Sequence, residues 1–160
     1  MKKHSKTKYY IAYGSNLNTH QMAWRCPHAE VAGIATLQDW RLLFRGSKTG
    51  AYLTIEPCKG AEVPVAIWEI TEADEAALDC YEGFPSFYYK RTLPVTMDNI
   101  LTGEQKRIKA MVYIMHEDRP LGIPTQSYLA TCGDGYLDFG FDFEPLEDAL
   151  AFVKREVKTA

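Results

Sequence analysis

Residues 10–18 read Tyr10-Ile11-Ala12-Tyr13-Gly14-Ser15-Asn16-Leu17-Asn18, a short apolar strand that runs into a Gly-Ser-Asn turn. Thr19 to Trp24 then continue as one or two turns of helix, with Asn18 as the expected N-cap. Glycine lets the backbone turn tightly and leaves room above it for a ligand. N–H groups that leave a strand and open a helix point one way, which suits an anion or a developing oxyanion. A plain strand-ending turn uses the same residue types. A phosphate loop is excluded, because the Gly-x-x-x-x-Gly-Lys spacing is missing and no lysine follows the turn.

Outward from this stretch, Arg25, Cys26 and Pro27 close the short helix. Val31 to Leu37 and Trp40 to Phe44 read as two strands separated by Gln38 and Asp39, and Arg45 to Gly50 as a polar loop. Tyr52 to Glu56 and Val63 to Ile70 read as two more strands. Thr71 caps a helix from Glu72, with Asp74 completing a capping box and Gly83 as the left-handed stop. Ala73, Ala76, Ala77, Leu78 and Tyr81 are its expected buried side. Phe87 to Met97 and Arg107 to Met115 form a hairpin turning at Asp98 to Gly103. Pro120 to Pro124 is a loop, Thr125 to Thr131 opens a further helical stretch, and Pro145 to Lys158 has the pattern of a last helix. Many short strands with three or four helices predict an α+β fold: a small mixed β-barrel or strongly curved sheet with surrounding helices.

The chain has 160 residues, enough for one domain with a real core, expected over residues 9–160 behind a basic tail at 1–8. A net charge of −3 gives no electrostatic case for nucleic acid. No apolar run approaches membrane-spanning length, and no apolar signal core follows the basic opening. Cys26, Cys58, Cys80 and Cys132 are widely spaced, which argues against a zinc site and fits reduced thiols in a cytoplasm. No metal or cofactor is expected, and oligomeric state is open.

The second stretch that carries chemistry is Asp79 to Arg91, where Glu82 stands just before Gly83. A carboxylate at a helix C-terminus faces the negative end of the macrodipole. The flanking Tyr81, Phe84, Phe87, Tyr88 and Tyr89 suggest an apolar setting. Both influences favour the protonated form, which suits a proton-transfer group. The plainer reading is an exposed glutamate, or one paired with Lys90 or Arg91. His20 and His28 offer no complete metal set, Asp134, Asp138 and Asp142 do not follow calcium-loop spacing, and no Gly-x-Ser-x-Gly elbow surrounds Ser15. Phe139, Phe141 and Phe143 read as core.

As an ordered pair, YIAYGSNLN and YEGFPSFYYKR resemble the γ-glutamylcyclotransferase-like family. The resemblance implies a small β-barrel with helices. It implies that Tyr13, Gly14, Ser15, Asn16 and Leu17 bind substrate, that Glu82 is the general acid/base, and that Tyr89 is a further substrate-binding residue. The implied reaction releases 5-oxoproline from a γ-glutamyl compound, through attack of the substrate's own α-amine on its γ-carbonyl. The implied partner is therefore a small molecule. A different class of function, a non-catalytic barrel module that binds a small carboxylate or a γ-glutamyl-modified partner, uses the same turn. Glu82 argues against it, since an anion binder gains nothing from a nearby carboxylate.

Overall fold

A computed structural model describes residues 6–158. Five strands, β1 (Thr7–Ala12), β2 (Glu30–Arg45), β3 (Tyr52–Thr71), β4 (Tyr88–Asn99) and β5 (Gln105–Met115), close into a barrel in the order β1-β3-β2-β4-β5. β1 runs parallel to β5 at Tyr10 and Met111, and the other neighbours are antiparallel, so the barrel is mixed as expected. The closing contacts are short: β2 pairs with β4 at Gly33–Asn99 and Ile34–Asp98, and β1 with β5 at the single position above. β-branched and other apolar residues such as Ile11, Leu53, Ile55, Ile67, Val112 and Ile114 fill the core. Residues 1–5 of the expected tail lie outside the described residues; Thr7 and Lys8 belong to β1, and Lys8 Nζ pairs with Glu75 at 2.7 Å.

The two strands expected over 31–44 are one strand, β2, and the two expected over 52–70 are one strand, β3. The ladder steps from Trp40–Pro57 to Gln38–Glu62, so residues 58–61 bulge out opposite Asp39. Asp39 takes φ 65°, and its Oδ1 accepts the Gly60 N–H at 2.9 Å. The polar residues that look like a break are thus a bulge within a continuous pairing.

Four helices flank the barrel: α1 (Thr19–Arg25), α2 (Glu72–Glu82), α3 (Gln126–Phe139) and α4 (Glu144–Lys158). Asn18 caps α1 by accepting the Gln21 N–H at 3.0 Å. α2 carries the expected capping box: Asp74 N–H donates to Thr71 Oγ1 and Thr71 N–H to Asp74 Oδ2. It stops at Gly83, whose φ of 64° a side chain would strain. The expected buried side of α2 is corrected in part. Leu78 and Asp74 are buried, whereas Ala73, Ala76 and Tyr81 are exposed. Alanine has little apolar area to hide, and α2 is held on the barrel by Leu78 together with polar ties from Glu75 to Lys8 and Lys90 and from Asp79 to Lys90 and Tyr113.

α3 is longer than expected, running from its cap Thr125 to Gly140 and taking in part of the phenylalanine-rich segment. Phe139 and Phe141 pack against the core as the alternation suggested, but Phe143 does not: it stacks on Tyr136 and stays exposed at 37%. α3 also braces the loop after β1. A Cβ on Gly135 would stand 2.6 Å from Leu17 Cβ and 2.8 Å from the Asn18 nitrogen. Asn18 Nδ2 donates to the Thr131 carbonyl at 3.1 Å, and Asp138 Oδ2 accepts from both Thr19 N–H and Thr19 Oγ1 at 3.0 Å.

Candidate active site

β1 delivers the chain into a one-turn 3-10 segment, Ser15–Leu17, closed by Leu17 N–H on the Gly14 carbonyl at 3.0 Å. The leading N–H groups of such a turn have no acceptor within it. Tyr13, Gly14, Ser15 and Asn16 line a cavity of about 180 Å³, together with Glu82 at the end of α2. That is below the ~300–1,000 Å³ of sites for drug-sized ligands, and it suits a small head group.

Glu82 is partly buried and does not pair with Lys90 or Arg91. Asn16 Nδ2 donates to Glu82 Oε1 at 3.3 Å and to the Tyr10 hydroxyl at 2.7 Å. Trp68 Nε1 fixes the same loop from beneath by donating to the Asn16 carbonyl at 3.1 Å. Burial pushes the Glu82 carboxyl up from 4.5 to about 7, against the opposing pull of the Arg25 charge and the Asn16 hydrogen bond. Burial likewise raises the Tyr10, Tyr13 and Tyr88 phenols, and the Glu82 charge adds to it. The wall is therefore neutral phenols around one titratable acid.

Lys90 is held elsewhere, on Glu75 at 2.7 Å and Asp79 at 2.7 Å. Asp79 in turn accepts the Tyr113 hydroxyl at 2.6 Å, which orients Tyr113 in the cavity wall. The Tyr13 hydroxyl donates to the Tyr113 carbonyl at 2.7 Å, and Tyr88 to the Leu53 carbonyl at 2.8 Å.

Two of the expected binding residues lie away from the cavity. Leu17 is fully buried under Gly135. Tyr89 directs its hydroxyl to Glu117 Oε2 at 2.6 Å, and its neighbour Tyr88 lines the cavity instead. Successive strand residues face opposite sides, so the two tyrosines do not share a wall.

Arg25 is the main residue that sequence reading passed over. Its guanidinium donates to Asn16 Oδ1, to Ser15 Oγ at 3.3 Å and to Gln21 Oε1 at 2.9 Å, and it lies 3.5 Å above the Tyr81 ring. The available signal was Gln21 four residues earlier on the same face of α1. No histidine among the described residues lines the cavity, so Ser15 has no imidazole base there. Among the described residues no cluster of His, Cys, Asp and Glu has metal-binding geometry.

Residues 10–130 match the family described as gamma-glutamyl cyclotransferase, AIG2-like. The gamma-glutamylcyclotransferase of Mus musculus is 31% identical over 162 aligned positions, covering 96% of this chain and 82% of that protein. The Homo sapiens protein of the same name is 35% identical over 151 positions, covering 89% and 77%. A solved structure of a gamma-glutamyl cyclotransferase superimposes with a TM-score of 0.78 at 24% identity, over 97% of this chain and all of that one.

Proposed function

The chain belongs to the gamma-glutamyl cyclotransferase, AIG2-like family, and on that premise we propose that it releases 5-oxoproline from a γ-glutamyl compound with Glu82 as general acid/base. The α-amine nitrogen attacks the γ-carbonyl carbon and closes the ring. The bond from that carbon to the leaving nitrogen breaks, and the leaving amine departs with one proton. No water and no covalent enzyme intermediate take part. Glu82 takes one proton from the α-ammonium to free the attacking amine and gives it to the leaving nitrogen; the second proton that the ring nitrogen loses goes to solvent. Tyr13, Gly14, Ser15 and Asn16 hold the glutamyl group, and the N–H groups of the turn face its carboxylate or the tetrahedral oxyanion.

One observation carries this reading: an acid raised to about 7 is hydrogen-bonded to the turn in the wall of a cavity of head-group size. A substrate α-ammonium has a pKa of about 8. Passing its proton to a group at about 7 is uphill by only ~1.4 kcal/mol, whereas an ordinary carboxylate at 4.5 would make it roughly 5 kcal/mol. Ring closure is intramolecular, so holding the glutamyl chain folded contributes ~7 kcal/mol or more in the best geometry. A net charge of −3 further supports action on a small molecule rather than on nucleic acid. Among the described residues no helix is long and apolar enough to cross a membrane.

The test is 5-oxoproline release from γ-glutamyl dipeptides by the purified protein and by Glu82→Gln. The variant should fold, bind and lose turnover by about 10²–10⁴-fold. Equal rates for the two proteins would overturn the mechanism.

A further inference from the structure

The cavity holds a head group, so the leaving amine must emerge at its mouth. Two rings that line the cavity stand about half in solvent there, Tyr52 at 45% exposed and Tyr81 at 46%. Neither ring is loose. Tyr52 meets Tyr128 edge-on at 5.0 Å and Phe87 edge-on at 6.2 Å. Tyr81 is held between its contact with Ser15 Oγ at 3.4 Å and the Arg25 guanidinium stacked 3.5 Å from its ring centre. Rings fixed in place and exposed offer apolar surface at little entropic cost.

Charge behind the Tyr81 ring adds a second constraint, from Arg25, which touches that ring without lining the cavity. Among the described residues Arg25 has neutral hydrogen-bond partners only: Ser15, Asn16, Gln21 and Tyr81. No carboxylate of the described residues pairs with it directly. Its charge acts on Glu82 from the far side of Asn16. A positively charged leaving amine laid against Tyr81 would therefore lie close to a second cation.

Building on the proposed cyclisation, we infer that Tyr52, Tyr81 and Arg25 form the leaving-group subsite, which favours an aromatic or large apolar amine without net positive charge. A ring laid against the fixed tyrosines gains up to about tenfold over a small side chain, and a cationic chain is disfavoured by Arg25.

The experiment compares kcat/KM for γ-glutamyl-phenylalanine, γ-glutamyl-alanine and γ-glutamyl-putrescine, read as 5-oxoproline. The unmodified protein should rank them in that order, with several-fold to tenfold between the first two. Tyr52→Ala and Tyr81→Ala should shrink the phenylalanine-to-alanine ratio, chiefly through KM. Arg25→Gln should raise putrescine relative to alanine. Equal rates on phenylalanine and alanine, or a preference for putrescine, would overturn the subsite even if the variants fail to fold. Release from none of the three would overturn the cyclisation as well, so the two failures are distinguishable.

Discussion

Asn16 and Glu82, separated by 66 positions in the chain, meet through a hydrogen bond from Asn16 Nδ2 to Glu82 Oε1 at 3.3 Å. The bond ties the turn after β1 to the last residue of α2, side by side in the wall of the cavity that both line. Asn16 is held in turn by Trp68, Tyr10 and Arg25, so the acid is positioned by a turn that is itself tied at three points.

The pH dependence follows from burial of that acid. Glu82 must be ionised to accept the first proton, and its carboxyl sits at about 7. The kcat/KM profile should rise with pH through a limb near 7, lower tenfold for each unit below it. Steady-state kinetics across pH 5 to 9 check this. A flat profile between 5 and 7 would mean that an ordinary carboxylate, or no carboxylate, controls the rate.

The same burial has a cost in stability. Glu82 is raised in the folded state, so between about 4.5 and 7 the native protein binds a proton that the unfolded chain releases. Folding therefore weakens as pH rises through that window, by at most about 3 kcal/mol above pH 7. Glu82→Gln removes the ionisation and should melt several degrees above the parent at pH 8. The gap should close near pH 4.5. Equal melting temperatures at pH 8 would show that Glu82 is not desolvated.

Parts of this molecule are legible in sequence because local rules decide them. Asn18, the Thr71 and Asp74 box and Gly83 sit at caps that need only near neighbours. The continuity of β2 and β3 is not local. Asp39 reads as a break, yet a bulge absorbs it because the ladder resumes beyond residues 58–61. The choice between Tyr88 and Tyr89 needs the β4–β5 register, where Tyr88 faces Met115 and Tyr89 faces Ile114. Arg25 is ambiguous for the same reason: its partners Asn16 and Tyr81 come together only once the barrel closes.

Arg25 tunes the acid. Its charge lowers the Glu82 carboxyl against the larger effect of burial. Arg25→Gln should therefore move the limb of the kcat/KM profile to higher pH, with activity falling most near pH 7 and recovering towards pH 9. Arg25→Lys should restore part of the limb but not the planar fork that reaches Ser15, Asn16 and Gln21 together. An unmoved limb in Arg25→Gln would separate the two groups electrostatically.

The brace behind the turn gives the last expectation. Gly135 of α3 lies so close to Leu17 and Asn18 that one methyl group would overlap both, at 2.6 Å and 2.8 Å. The nitrogen at 2.8 Å is backbone, so the overlap is not relieved by a rotamer change. Gly135→Ala must push α3 or the turn aside, which costs about 1–3 kcal/mol and lowers the melting temperature by several degrees. Because Asn16 precedes Leu17 directly, the displacement reaches the hydrogen bond to Glu82 as well. Turnover should fall with stability, even well below the melting temperature. Gly133→Ala, on the same helix, meets nothing nearer than Phe143 at 4.0 Å. It should leave both properties close to the parent, and similar behaviour of the two variants would remove α3 from the support of the site.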